Sequence, residues 1–343
     1  MVDLAAERLG GKVLWANDDF FAEKENLLKA AKPIWIEGKY TDRGKWMDGW
    51  ESRRRRTPGF DWCLIRLGLP GRIHGFVVDT SYFTGNYPER CQIEGVSAPE
   101  SVTAEELDSS GTKWETILPE SQLKGDTQNY FDVAAPRRFT HLRFKIFPDG
   151  GVARLRVHGI VLPDWPKILA GGREIDLAAI EHGTRVIASS DRHYGNPNNL
   201  LLPGRGLNMG DGWETKRRRG PGHDWCILRL GTPGTILKIE VDTLHYKGNF
   251  PESCSVEACS AIGRDLEWLR AQELQELSWQ PVLSRTKLQA DTLHRFADDV
   301  RDAGEVTHVR LNMIPDGGIG RLRLIGVASG HFAELPYHDA PTP

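Results

Sequence analysis

Apolar and charged residues alternate one for one along 141–147, where Leu142, Phe144 and Ile146 are interleaved with Arg143 and Lys145. A period of two puts the apolar side chains on one face of a strand and the cations on the other. After Pro148-Asp149-Gly150-Gly151 the alternation returns, with Ala153, Leu155 and Val157 set against Arg154, Arg156 and His158. The pattern predicts two half-buried strands joined by a turn, with all three later basic residues on the polar side. Upstream, the apolar runs 62–67 and 73–80 are separated by Gly68 and Pro70-Gly71, which predicts two short strands around a turn. The loop Phe83-Thr84-Gly85-Asn86-Tyr87-Pro88-Glu89 precedes a strand at 91–96, and the polar stretch 99–112 precedes another at 114–118. Short strands with turn signals every roughly 8–12 residues predict an antiparallel all-β sandwich or jelly roll.

The whole pattern occurs twice. Asp48-Gly49-Trp50-Glu51-Ser52-Arg53-Arg54-Arg55-Arg56 returns as Asp211-Gly212-Trp213-Glu214-Thr215-Lys216-Arg217-Arg218-Arg219, and 27 of the 47 positions in 48–94 are identical to their counterparts in 211–257. Such self-similarity marks a duplicated structural unit. Earlier in the chain 13–30 echoes 186–203, now 173 residues apart rather than 163, so the first copy holds ten additional residues, expected within 32–45 as a surface loop. The expected organisation is a repeat at 1–161, a linker at 162–184, a second repeat at 185–330 and a tail at 331–343. A short helix is expected at 265–277, inserted in the second copy only.

With 343 residues and 39% hydrophobic content, two unstapled cores are within reach. A net charge of −3 gives no general attraction to nucleic acid or anionic membrane, and no apolar run approaches the roughly 20 residues of a spanning helix. The first residues lack the basic and apolar regions of a signal peptide. Five cysteines, with no Cys-x-x-Cys, read as buried apolar thiols of a reducing cytoplasm.

Two families share these features. The strand run 62–68 with Pro70, the later Trp114 and the closing pair 143–159 loosely resemble the discoidin-like, galactose-binding-like β-sandwich. A sharper resemblance is to the allantoicase (allantoate amidinohydrolase) family. It is carried by Leu9-Gly10-Gly11-Lys12-Val13-Leu14, Asp18-Asp19-Phe20-Phe21-Ala22, Asn26-Leu27, Asp48-Gly49-Trp50-Glu51-Ser52-Arg53-Arg54, His223-Asp224-Trp225 and Phe147-Pro148-Asp149-Gly150-Gly151. It spans nearly the whole chain, duplication included. It implies two tandem jelly rolls and hydrolysis of allantoate to ureidoglycolate and urea. The alternative is a non-catalytic, lectin-like tandem binding module.

Allantoate is a small carboxylate whose central carbon bears two ureido groups, so a site should offer arginine for the carboxylate, acids for proton transfer and amides for the ureido groups. Substrate-binding candidates are Arg54, Arg56, Arg217 and Arg219, which in extended chain share a side while Arg55 turns away. Against this stands the reading of the run as a solvated edge. Asn86 and Asn249 are candidates for a ureido group, the alternative being a Gly-Asn turn. Acid and base candidates are Glu51, Glu214, Asp18 and Asp191, with Asp48 and Asp211 read as shaping an Asp-Gly turn and Asp61 and Asp224 as structural acceptors. His141 and His308 begin regular strands and read as structural. His193, His223 and His245 occur only in the second copy, and His223 is a further catalytic candidate. No metal motif occurs, so no cofactor is expected, with a loop-bound divalent cation left open. The expected partner is small-molecule allantoate, within a homo-oligomer.

Overall fold

A strand of nineteen residues, Asp61–Asp79, runs straight through Pro70-Gly71, so the turn expected there does not form. From Asp61 to Arg66 it pairs antiparallel with Arg138–Phe147 and, on its other side, with Lys12–Ala16. From Gly71 to Asp79 its neighbours are Arg154–Val161 and Gln128–Asp132. The strand thus passes from one layer of a sandwich to the other at Leu69-Pro70-Gly71. Proline, with no amide to pair, is tolerated at such a corner. Gly71 is required there, because a Cβ would lie 2.3 Å from the Ile160 carbonyl oxygen. The chemistry that signals a turn here makes a bend within one strand.

The structure is a computed structural model describing residues 1–135, 137–262 and 277–329, and it divides into the units Met1–Leu162 and Pro163–Pro343. In the first unit Arg90–Val96 and Glu115–Gln122 extend the layer built on Arg138–Phe147, and Val2–Asp3 edges the other beside Arg154–Val161. The second unit repeats the plan around the nineteen-residue strand Asp224–Asp242, with Val306–Ile314 and Arg185–Ser189 beside its first half and Arg321–Ala328 and Leu293–Phe296 beside its second. Each unit is a jelly-roll β-sandwich.

The stretch 162–184 is not merely a linker. Glu174–Asp176 pairs with Arg321–Ala328 as Val2–Asp3 pairs with Arg154–Val161, so the second repeat begins about ten residues earlier than expected. The helix expected at 265–277 lies, its last residue aside, outside the described residues, as does the tail 331–343. The additional residues of the first copy include a two-stranded hairpin, Tyr40–Thr41 with Gly44–Lys45.

Alternation sets the core. Leu142, Phe144 and Ile146 are fully buried, as are Val309, Leu311 and Met313 at the matching places. Burying each such side chain contributes about 1.5–3 kcal/mol. Trp50 and Trp213 are also fully buried, and their indole Nε1 groups donate to the Asp18 and Asp191 carbonyls at 2.8 and 3.0 Å. All five cysteines are free and buried, and burial pushes the Cys91 and Cys254 thiols up to about 12.

One alternation fails. Arg154, expected on the polar side with Arg156 and His158, is 1% exposed. Its guanidinium donates from Nη2 to Asp48 Oδ2 at 2.8 Å, from Nη1 to the Asp48 carbonyl at 2.9 Å and from Nε to the Ala31 carbonyl at 3.0 Å. Arg321 does the same with Asp211, at 2.8 Å to Oδ2 and 2.5 Å to the carbonyl. Asp48 and Asp211 are therefore partners of a buried arginine rather than turn formers.

Candidate active sites

The short strand Trp50–Glu51 is held on both sides. Glu51 pairs with Gly151 on one flank, and on the other it exchanges backbone hydrogen bonds with Ala22. The buried indole beneath it and the Asp48–Arg154 pair before it fix where the Glu51 side chain leaves the backbone. Its carboxylate Oε1 accepts from Asn86 Nδ2 at 2.7 Å. Asn86 is positioned in turn by the glycine turn, since its carbonyl accepts from the Gly151 amide at 2.7 Å. Gly150 sits at φ 135°, and a Cβ there would stand 2.7 Å from the same carbonyl. Only glycine allows the loop and the turn to approach this closely.

The second unit reproduces this cluster. Asn249 Nδ2 donates to Glu214 Oε1 at 2.7 Å, Gly318 takes the place of Gly151, and Gly317 repeats the positive φ at 137°. Tyr246 stands where the first unit has Phe83, and its hydroxyl donates to the Met209 carbonyl at 2.6 Å. Burial, followed by the nearby Glu214, pushes the Tyr246 phenol up. Burial likewise raises the Glu51 carboxyl above its ordinary value, partly offset by the Asn86 hydrogen bond.

The basic run divides by function of position. Arg55 is anchored, its Nη1 donating to Asp61 Oδ1 at 2.6 Å and its amide to Asp149 Oδ2 at 2.9 Å. Arg218 repeats this with Asp224 at 2.5 Å and Asp316 at 2.7 Å. Asp61 also accepts from Asn17 Nδ2 at 2.7 Å. Arg54, Arg56, Arg217 and Arg219 are exposed, and no acid holds them among the described residues. Arg217 lines a groove of about 520 Å³ with Phe250, Glu252, Lys287 and Asp316.

Asp18 is otherwise engaged. It accepts from Arg53 Nε at 2.6 Å and from the Arg53 and Phe20 amides at 3.0 and 3.1 Å. Burial acts to raise its carboxyl, but the Phe20 amide and the Arg53 contacts outweigh it and hold the group below its ordinary range. Among the described residues the Asp191 carboxylate accepts the His193 and Lys216 amides, at 2.9 and 3.3 Å. Both aspartates fasten the strand that presents the glutamate. His223 belongs elsewhere: its Nε2 meets Asn312 Oδ1 at 3.2 Å on the sheet face, in a groove with Trp225 and Glu257. His193 is exposed beside Tyr194, and His245 Nε2 meets the Gly206 carbonyl at 2.9 Å.

The structure thus gathers Glu51 with Asn86 and Glu214 with Asn249; the exposed arginines follow each glutamate by three and five residues in the chain and contact neither pair among the described residues. Sequence reasoning missed Arg154 and Arg321, and missed Asp149 and Asp316 as anchors. Their recurrence in both copies was the available signal. No three His, Cys, Asp or Glu side chains gather in metal-holding geometry among the described residues.

Fold and clusters define a duplicated β-sandwich protein with one glutamate–asparagine pair per repeat. The family profile "Allantoicase repeat" matches residues 2–162 and 175–329. The chain is 48% identical over 328 residues to a probable allantoicase of Photobacterium profundum, covering 96% of this chain and 97% of that one. It is also 48% identical over 325 residues to a probable allantoicase of Stutzerimonas stutzeri, covering 95% and 96%. A crystal structure of allantoicase from Saccharomyces cerevisiae superposes with a TM-score of 0.77 at 35% identity, covering 95% of this chain and 92% of that one. The chain belongs to the allantoicase family.

Proposed function

We propose that this protein hydrolyses allantoate to ureidoglycolate and urea, a step of purine breakdown, and that each repeat carries a site built on its glutamate–asparagine pair. One observation supports the assignment of the site: the same 2.7 Å contact between Asn Nδ2 and Glu Oε1 recurs in both repeats.

The chemistry follows from those groups. Arg54 and Arg56, and Arg217 and Arg219 in the second repeat, offer planar forks for the substrate carboxylate. Glu51, whose carboxyl is raised by burial, is assigned as the group that supplies a proton to the departing ureido nitrogen. As the carbon–nitrogen bond breaks, Glu51 gives up that proton. The carboxylate left behind takes a proton from water as the water oxygen bonds to the central carbon. One water is consumed: its hydroxyl stays on ureidoglycolate and its remaining proton resets Glu51. Asn86 and Asn249 keep the glutamates in place and turn the rest of their amides toward the ureido groups.

Free, buried thiols support a cytoplasmic location, where they stay reduced. Exposed Ile34, Trp35 and Ile36 on the first-repeat insertion support a homo-oligomer, to be measured by sedimentation.

The decisive assay measures urea release from allantoate by Glu51→Gln, Glu214→Gln and the double variant. Each single variant should lose the contribution of its own repeat, and the double should fall by about 10²–10⁴ in kcat. A folded double variant with undiminished turnover would move the proton chemistry to other residues.

A further inference from the structure

On the second repeat, Trp225, Ser255, Glu257 and Asn312 floor a groove of about 660 Å³, with His223 and Arg310 at its sides. They alternate with the fully buried Cys226, Val256 and Leu311, so they stand on the sheet face turned away from the core. The groove shares no lining residue with the one that holds Arg217.

The first repeat fills the matching positions with its own side chains. There Trp62 is flanked by Trp15 and Phe60, with ring centroids 5.5 and 5.7 Å away, and Phe60 also packs on Phe147 at 5.2 Å. Lys145 Nζ lies 5.3 Å from the Phe60 centroid. In the second repeat the equivalents of Trp15, Phe60, Phe147 and Lys145 are Ala188, His223, Ile314 and Asn312. The indole remains, and among the described residues it packs against the cluster of Ile227, Cys259, Ala261 and Leu277 in place of those rings.

The polar groups left there form an ordered set. Asn312 is 5% exposed, and its Nδ2 donates to Glu257 Oε2 at 2.8 Å and to Ser255 Oγ at 3.1 Å. A carboxylate only accepts, so the amide orientation is fixed and Asn312 Oδ1 accepts from His223 Nε2. His223 therefore carries a proton on Nε2. Charge is also balanced. Glu94 in the first repeat faces both Arg143 and Lys145, at 2.6 and 2.9 Å, whereas among the described residues Glu257 faces one cation, Arg310, at 2.6 Å.

We propose that this groove binds a planar, uncharged nitrogen heterocycle with adjacent ring N–H and C=O groups, the chemistry shared by cyclic ureides and purine bases. Planarity follows from the partly buried indole of Trp225 in the groove lining, against which a flat ring stacks. Neutrality follows because both lining arginines already face a carboxylate, Arg310 with Glu257 and Arg285 with Glu252. The mixed edge follows from Glu257 as acceptor and the Arg310 guanidinium as donor, with the His223 ring beside them. The volume lies within the roughly 300–1,000 Å³ of small-molecule sites.

Calorimetric titration of the full chain with hypoxanthine and with hydantoin tests this, alongside allantoate turnover on the same samples. At least one probe should bind with a Kd below ~1 mM. Binding of hypoxanthine alone would assign the purine base, and of hydantoin alone the cyclic ureide. The double variant H223F/N312K, which installs residues the first repeat already folds around, should weaken binding at least about tenfold, as should Trp225→Ala. No binding of either probe, binding that H223F/N312K leaves unchanged, or displacement by allantoate would overturn the proposal. Turnover is read separately, so either failure leaves the hydrolysis assignment where it stands.

Discussion

Arg54 and Arg55 are neighbours of one chemical type with opposite situations. Arg55 is bound to Asp61 and, through its amide, to Asp149, while Arg54 meets no acid among the described residues. Arg54→Lys keeps the charge but loses the two-pronged grip, so KM for allantoate should rise about tenfold with kcat nearly unchanged. Arg55→Lys should do the reverse, leaving KM alone and lowering stability by about 1–3 kcal/mol through the weakened Asp61 contact. Steady-state kinetics and denaturant titration of the two variants separate these outcomes. An unchanged KM in Arg54→Lys would remove that arginine from the site. Period-two alternation told Arg54 from Arg55 in the sequence, because it depends only on backbone geometry. It could not tell which of the two sides would find an acid, because Asp149 lies 94 residues away from Arg55.

At the scale of elements, the same alternation gave the right answer for Leu142, Phe144 and Ile146 and the wrong one for Arg154. Local period says which face a residue occupies, but a buried face accepts a cation when a carboxylate and carbonyls are supplied from elsewhere. Asp48 and Ala31 supply them across more than a hundred residues of sequence, a pairing no local pattern reveals. Burial alone would raise the Asp48 carboxyl, yet the Arg154 hydrogen bond and the Ile34 amide hold it below its ordinary value. Arg154→Met leaves that carboxylate without its cation and should cost about 3–5 kcal/mol in denaturant unfolding. Arg156→Met, whose contact to Asp3 is 3.6 Å long, should cost about 1 kcal/mol or less. Equal losses would mean that the two arginines are equivalent after all. Pro70-Gly71 is the companion case. Its composition signals a change of chain direction, and only the partners of each half show that the change is a bend between layers.

Across the whole molecule the duplication was legible because identity at a fixed offset needs no structural model, and it brought the twin clusters with it. The start of the second repeat was not, since Glu174–Asp176 is too short to carry a pattern and declares itself only by pairing with Arg321–Ala328. Duplication also sets how stability responds to acid. His141 and His308 occupy matching strands, 1% and 0% exposed, each with Nδ1 against a threonine hydroxyl. Burial first, then Arg66 at one and Arg229 and Arg185 at the other, lowers both to about 4. The unfolded chain, with its histidines near 6.5, takes up protons that the folded chain refuses, so stability falls as pH drops. The contribution is complete above about 6.5 and lost progressively toward 4, on the order of 3 kcal/mol for each histidine. Asp18 and Asp48, held below their ordinary range, lose their contributions at lower pH still, which keeps the two windows apart. Burial raises Asp3 and Asp176, and these act in the opposite sense, adding stability as pH falls. Melting temperature should therefore decline from pH 7 to pH 5, and the double variant His141→Gln with His308→Gln should show a flatter profile over that interval. An equally steep profile in that variant would place the acid sensitivity in other groups.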